Sequence, residues 1–141
     1  MQPLCENVLR TARWRVAHAF GTTVAGWLVV VPLRHITSLA ELSGDEAAEL
    51  GPLLRDLTVA LTAVVGCEKT YVAMFAEAVS HVHFHVVPRM ADQPAELLGP
   101  KIFDLLGSAP VDSLPDVERD RLATELAARL ERLRRRRDLR A

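Results

Sequence analysis

The sequence predicts a single mixed domain of strands and helices, and three observations carry that prediction. Short apolar runs rich in β-branched residues, each bounded by turn residues, recur between Val16 and Val87. A leucine stripe at helical spacing follows Ser43, and a second helical pattern opens at Asp116. The length of 141 residues suits one domain, 1–141, without an internal repeat or a low-complexity linker.

Val16–Phe20 is apolar except for His18 and reads as a strand. Gly21 to Gly26 is a loop of small residues, and Trp27–Val31 reads as a buried strand stopped by Pro32. Ser43 and Glu46 form a capping box, in which hydroxyl and carboxylate each accept from a free backbone N–H. Leu50, Leu53, Leu54, Leu57, Leu61 and Val64 then line one helix face, with Gly66 as the C-cap. Thr70–Ala76 and His81–Val87 read as two strands joined by a tight antiparallel connection through Ala78 and Val79, and Pro88 stops the second. Asp92 to Gly107 reads as a loop with a short helical piece. A C-terminal helix over about 115–137 places Val117, Leu122, Leu126, Leu130 and Leu133 on its apolar side.

Composition narrows the function classes. Half of the residues are hydrophobic and a quarter are charged, enough for one sizeable core. The net charge of −1 gives no global field toward nucleic acid or membrane. Arg132 and Arg134 to Arg137 crowd the end of the last helix, where positive charge opposes the helix dipole, so they read as a solvated tail rather than a nucleic-acid patch. The apolar run Trp27–Leu33 is far too short for a bilayer, and Met1 to Arg15 has no long apolar stretch of a signal peptide. Cys5 and Cys67 are too few for a disulfide framework and read as reduced thiols of a cytoplasmic protein.

The chemistry concentrates at His81-Val82-His83-Phe84-His85-Val86-Val87. Strand alternation puts the three imidazoles on one face, about 7 Å between neighbours of the series, and sends Val82, Phe84 and Val86 to the core. Two chemistries suit three imidazoles in register. They could ligate zinc, although only Glu77 adds a carboxylate nearby and no cysteine does. Alternatively, one imidazole attacks phosphorus while its neighbours stabilise charge and serve the leaving group.

This motif, continued by Pro88 and Arg89, resembles the signature of the histidine triad family. Gly26-Trp27-Leu28-Val29-Val30-Val31-Pro32-Leu33-Arg34-His35 resembles the family's other shared segment, so the likeness runs from about Val16 to Arg89. The resemblance implies an α+β fold with an antiparallel sheet, one long helix between the shared segments, and a homodimer. It implies a nucleotide-phosphate substrate, no required metal or other cofactor, His83 as nucleophile, and His81 and His85 around the phosphate.

The chain departs from the family pattern at several positions. Trp27 stands where a histidine joins the triad network, and Ala19, followed by Phe20, stands where an acid holds ribose hydroxyls. Ala76, Glu77 and Ala78 replace a Gly-Gln-Ser run, so Glu77 brings an acid for an amide and Ala78 lacks a hydroxyl. Glu77 is a candidate to orient water or protonate a leaving group, or else an exposed turn residue. Trp27 either stacks on a base or fills the core, and Phe20 is the third candidate substrate contact. His35 is read as holding a turn and His18 as a half-buried strand residue. The expected function is a nucleotide phosphate hydrolase or nucleotidyl transferase acting on a nucleoside phosphoramidate or dinucleoside polyphosphate. The alternatives are a nucleotide- or protein-binding module with little turnover and a metal-binding histidine cluster.

Overall fold

In a computed structural model, which describes residues 4–107 and 112–141, alternating burial along the strands builds one sheet with two faces. β1 (Leu9–Arg10), β2 (Trp14–His18), β3 (Leu28–Pro32), β4 (Lys69–Ala73) and β5 (Phe84–Arg89) form an antiparallel sheet in the order β1-β2-β3-β5-β4. Trp14 and Val16, Leu28 and Val30, and Phe84 and Val86 face one side. There they pack with Leu53, Leu57 and Leu61 of α1 (Gly44–Val65) and with Ala123, Leu126 and Leu130 of α2 (Asp116–Asp138). The other face carries Ala19, Trp27 and Val87. It is covered by the 3-10 segment Gly99–Leu105, which contributes Ile102 and Phe103. The fold is therefore α+β, with helices on one face and an irregular cover on the other. No helix among the described residues is long and apolar enough to cross a membrane.

The capping box starts α1 as its residues require. The Glu46 N–H donates to Ser43 Oγ at 3.1 Å, and the Ser43 N–H donates to Glu46 Oε2 at 2.8 Å. Glu46 also receives Arg34 Nε at 2.6 Å and Nη2 at 2.8 Å. The Arg34 contact, and then the Ser43 N–H, hold its carboxyl down to about 2. This pairing ties the segment after β3, which carries His35, to the start of α1. Gly66 closes α1 with φ 70°, a left-handed cap that glycine adopts without steric cost. At the far end of α2, Arg137 reaches Asp56 of α1 at 2.7 Å and Arg135 pairs with Glu131, so part of the arginine cluster has partners within the domain.

The expected elements shift in instructive ways. β2 covers Trp14–His18 rather than Val16–Phe20, leaving Phe20 outside the strand. β3 runs one residue later than expected and includes Pro32, β4 ends at Ala73, and the two-residue β1 has no periodicity to announce it. The largest correction concerns His81–Val87, because β5 begins only at Phe84 and continues through Pro88 to Arg89. Pro32 has no N–H to extend the β3–β5 ladder past Val30↔Phe84, and the Val82 N–H donates to Ile36 O at 2.8 Å instead. Pro88 is accommodated because the β3 pairing has already ended at Leu28↔Val86, so one side of β5 has no strand there.

Ala76, in the connection between β4 and β5, has φ 53°, a left-handed conformation in which a Cβ meets its own backbone. Replacing Ala76→Gly removes that clash but adds freedom to the unfolded chain, so the expected net gain is at most about 1 kcal/mol. The check is a higher urea midpoint with an unchanged slope.

Candidate functional site

The candidate side chains lie where β5 meets the segment that precedes it. His85 sits in the middle of the sheet, in register with Val29 of β3 and Ala73 of β4, on the face away from the helices. It is 7% exposed. The rings packed around it are Trp27 at 5.8 Å, Phe103 at 5.0 Å and His83 at 5.0 Å between centroids, all edge-on. Burial first, and then the neighbouring His83, push the His85 imidazole down to about 4, so it is neutral near pH 7.

Each imidazole of the motif has one nitrogen committed, and the partners assign the tautomers. An indole N–H only donates, and Trp27 Nε1 lies 3.0 Å from His85 Nδ1. His85 Nδ1 therefore accepts, and its proton sits on Nε2. A carbonyl only accepts, and His81 O lies 2.8 Å from His83 Nδ1. His83 thus carries its proton on Nδ1 and keeps a lone pair on Nε2. His81 Nε2 lies 3.2 Å from Pro32 O and donates to it, which leaves His81 Nδ1 buried and without a partner among the described residues. The His81 ring stacks on His35, with centroids 4.9 Å apart and planes 10° from parallel.

The motif thus divides. His83 and His85 are in ring contact, whereas His81 belongs to a second pair with His35 and supports His83 through its backbone carbonyl. A convergent metal cluster would need free nitrogens pointing to one place. Among the described residues no three His, Cys, Asp or Glu side chains are so arranged.

The candidate substrate contacts separate further. Trp27 has no exposed surface, and its indole N–H donates to His85 Nδ1 from behind. Phe20 is 53% exposed, but its ring lies 4.3 Å from the Arg119 guanidinium of α2, the layer on the opposite face from His85. It does not join the histidines, because the strand ends at His18 and the chain turns away. Glu77 is exposed in the β4–β5 connection and makes no ion pair among the described residues. Ala19 is buried beside Trp27, with its N–H donating to Trp27 O at 2.8 Å, and presents no polar atom to a ribose. His18 is fully buried: Nδ1 donates to Ala19 O, Nε2 accepts from the Gly26 N–H, and burial lowers its proton affinity. Sequence reasoning missed Phe103, which packs on His85, Trp27 and Phe75, because nothing in a loop-like stretch indicates which aromatic folds back over the sheet.

No protein-family model matches the chain. Over 90 residues, 60% of this chain, it is 29% identical to an adenosine 5′-monophosphoramidase of Schizosaccharomyces pombe. The match spans 65% of that relative's length. Among solved structures, it superposes on a hypothetical histidine triad nucleotide-binding protein of Sulfolobus tokodaii with a TM-score of 0.72 and 15% identity, covering 92% of this chain and 86% of that one. A zinc-bound histidine triad family protein of Mycobacterium smegmatis gives a TM-score of 0.69 at 17% identity, covering 94% and 87%. At these identities the structural likeness speaks for the fold, and it agrees with the motif found in the sequence. The chain has the histidine triad fold, with the three histidines of that family's motif at His81, His83 and His85.

Proposed function

We propose that this protein is a nucleotide phosphate hydrolase or nucleotidyl transferase in which His83 is the nucleophile. One observation carries the reading. The His81 carbonyl fixes the His83 proton on Nδ1, so the Nε2 lone pair is available beside the Nε2–H donor of His85. In the first step, Nε2 of His83 bonds to phosphorus and the bond to the leaving group breaks, its electron pair departing with that group. The new imidazolium keeps its Nδ1–H on the His81 carbonyl, which stabilises the positive charge. His85 Nε2–H donates to a phosphoryl oxygen as negative charge gathers there. Water, or a second acceptor, then bonds to phosphorus, and the P–N electron pair returns to Nε2 while the acceptor's proton passes to solvent. The similarity to a monophosphoramidase and to a nucleotide-binding fold supports this class of substrate.

The test is trapping. Brief incubation with a dinucleoside polyphosphate, followed by denaturation and peptide mass spectrometry, should find a nucleotidyl group on His83. A second reading, a binding module with little turnover, is favoured by Ala19, Phe20 and Ala78, which offer no polar anchor for ribose or leaving group. Nucleotide binding with no adduct across a broad substrate panel would establish it instead.

We further propose that two copies associate. β4 is an edge strand, and it and the connection after it expose Val72, Phe75 and Val79 at 46%, 60% and 61%. Edge strands with apolar side chains favour pairing with a second chain. Light scattering at micromolar concentration should give the mass of a dimer, and Val72→Lys should shift it toward the monomer.

A further inference from the structure

The contact between Trp27 and His85 sets a limit on the chemistry that the rest of the site does not impose. Trp27 Nε1 can only donate, it lies 3.0 Å from His85 Nδ1, and both groups are buried. If His85 became an imidazolium, Nδ1 would carry a proton as well, and two N–H groups would face each other across that distance with no water to separate them. His85 therefore keeps one proton, on Nε2. A neutral imidazole can donate a hydrogen bond from that position, but it is far too weak an acid to release the proton to a departing group. The other rings packed on His85 cannot supply one either. Trp27 and Phe103 do not titrate, and His83 is occupied by the new bond to phosphorus. Glu77 forms no contact that brings it to these rings.

We propose that Trp27 is a positioning residue that locks His85 as a neutral Nε2–H donor, and that the site in consequence takes nucleotides whose leaving group departs as a stable anion, a phosphate or nucleotide anhydride. This rests on the reading of His83 as nucleophile. An anhydride needs no proton: when the P–O bond breaks, its electron pair settles on a phosphate oxygen already shared among several oxygens. An alkylamine leaving group differs, because the P–N electron pair must be met by a proton before the amine can depart. General-acid assistance is worth roughly 10²- to 10⁴-fold, and that assistance is what the locked His85 withholds. A side chain at position 27 able to accept as well as donate would not impose this limit.

Two measurements test it. The first reads the lock without turnover: ¹⁵N-edited NMR of the imidazoles in the intact protein. His85 should show an imine-type Nδ1 and a protonated Nε2 from pH 8 down to pH 5. An Nδ1–H on His85 in that range, or interconverting tautomers, would overturn the lock. The second compares kcat/KM for diadenosine tetraphosphate and for an adenosine 5′-phosphoramidate bearing butylamine. The parent should favour the anhydride by roughly 10²-fold or more, and Trp27→Phe, which keeps a ring and removes the donor, should narrow that ratio about 10-fold or more. Equal turnover of both substrates by the parent, with the adduct on His83 present, would refute the leaving-group limit while leaving the nucleophile in place. Absence of any His83 adduct would remove the reading on which the substrate class rests, and the NMR result would still decide the lock.

Discussion

Substituting His83→Asn is expected to abolish covalent nucleotidyl transfer, lowering kcat by roughly 10³-fold or more while nucleotide affinity changes only a few-fold. Asparagine suits the test because of what His83 does structurally. Its side-chain amide N–H can take over the donation to the His81 carbonyl now made by Nδ1 at 2.8 Å, so the chain between His81 and β5 keeps its anchor. What disappears is the Nε2 lone pair. A residue that only binds phosphate would raise KM when removed, whereas loss of a nucleophile appears in kcat. His81→Asn is expected to be milder, since the His81 ring faces His35 and supports His83 through its backbone rather than its side chain. Steady-state kinetics with intact-protein mass spectrometry decide the matter. A His83→Asn variant that still forms the adduct would place the nucleophile elsewhere.

That experiment targets a residue visible in the sequence, and the reason is periodicity. Three histidines at alternate positions are hard to explain by packing, and the capping box at Ser43 and Glu46 marks α1 by local chemistry alone. The order of the apolar runs marks the separate strands and helices, and the resemblance to the histidine triad family is what implies the antiparallel sheet with one long helix between the shared segments. The face on which the histidines stand was legible only in part. Alternation places all three together if the segment is a strand, but whether it is one depends on Pro32, which ends the β3 ladder, and on Ile36, which takes the Val82 N–H. Those partners are remote in sequence. The same holds for Trp27. Its apolar neighbours announce burial correctly, yet its hydrogen bond to His85, 58 positions away, arises from strand register and leaves no local trace. Phe20 shows the same remoteness: counting back from Trp27 marks it as a candidate contact, whereas the end of β2 at His18 and its packing against Arg119, far along the chain, leave no local trace.

The register that hides Trp27 from the sequence also makes the fold sensitive to acid, which is the second large effect expected. In the folded protein His85 is held down to about 4, against an ordinary value of 6.5 in an unfolded chain. Between those two values the unfolded chain binds a proton that the folded chain refuses. The contribution is therefore complete above about pH 7, falls as pH drops below 6.5, and levels off below 4. The difference is worth about 2 kcal/mol by pH 5 and about 3 kcal/mol in full, a substantial part of the stability of a small domain. His18, buried and lowered in the same direction, adds to the slope. Glu46 acts in a separate window. Its carboxyl is held down to about 2, so its contribution is present above its ordinary value of 4.5 and is lost only below that, as pH falls toward 2. Urea midpoints measured from pH 7.5 to 5 thus report the histidines alone. A flat profile across that interval would mean that His85 accepts a proton in the folded state. Trp27→Phe supplies the internal control. Without an indole N–H aimed at Nδ1, protonation of His85 costs less, so its share of the acid slope should shrink while that of His18 remains.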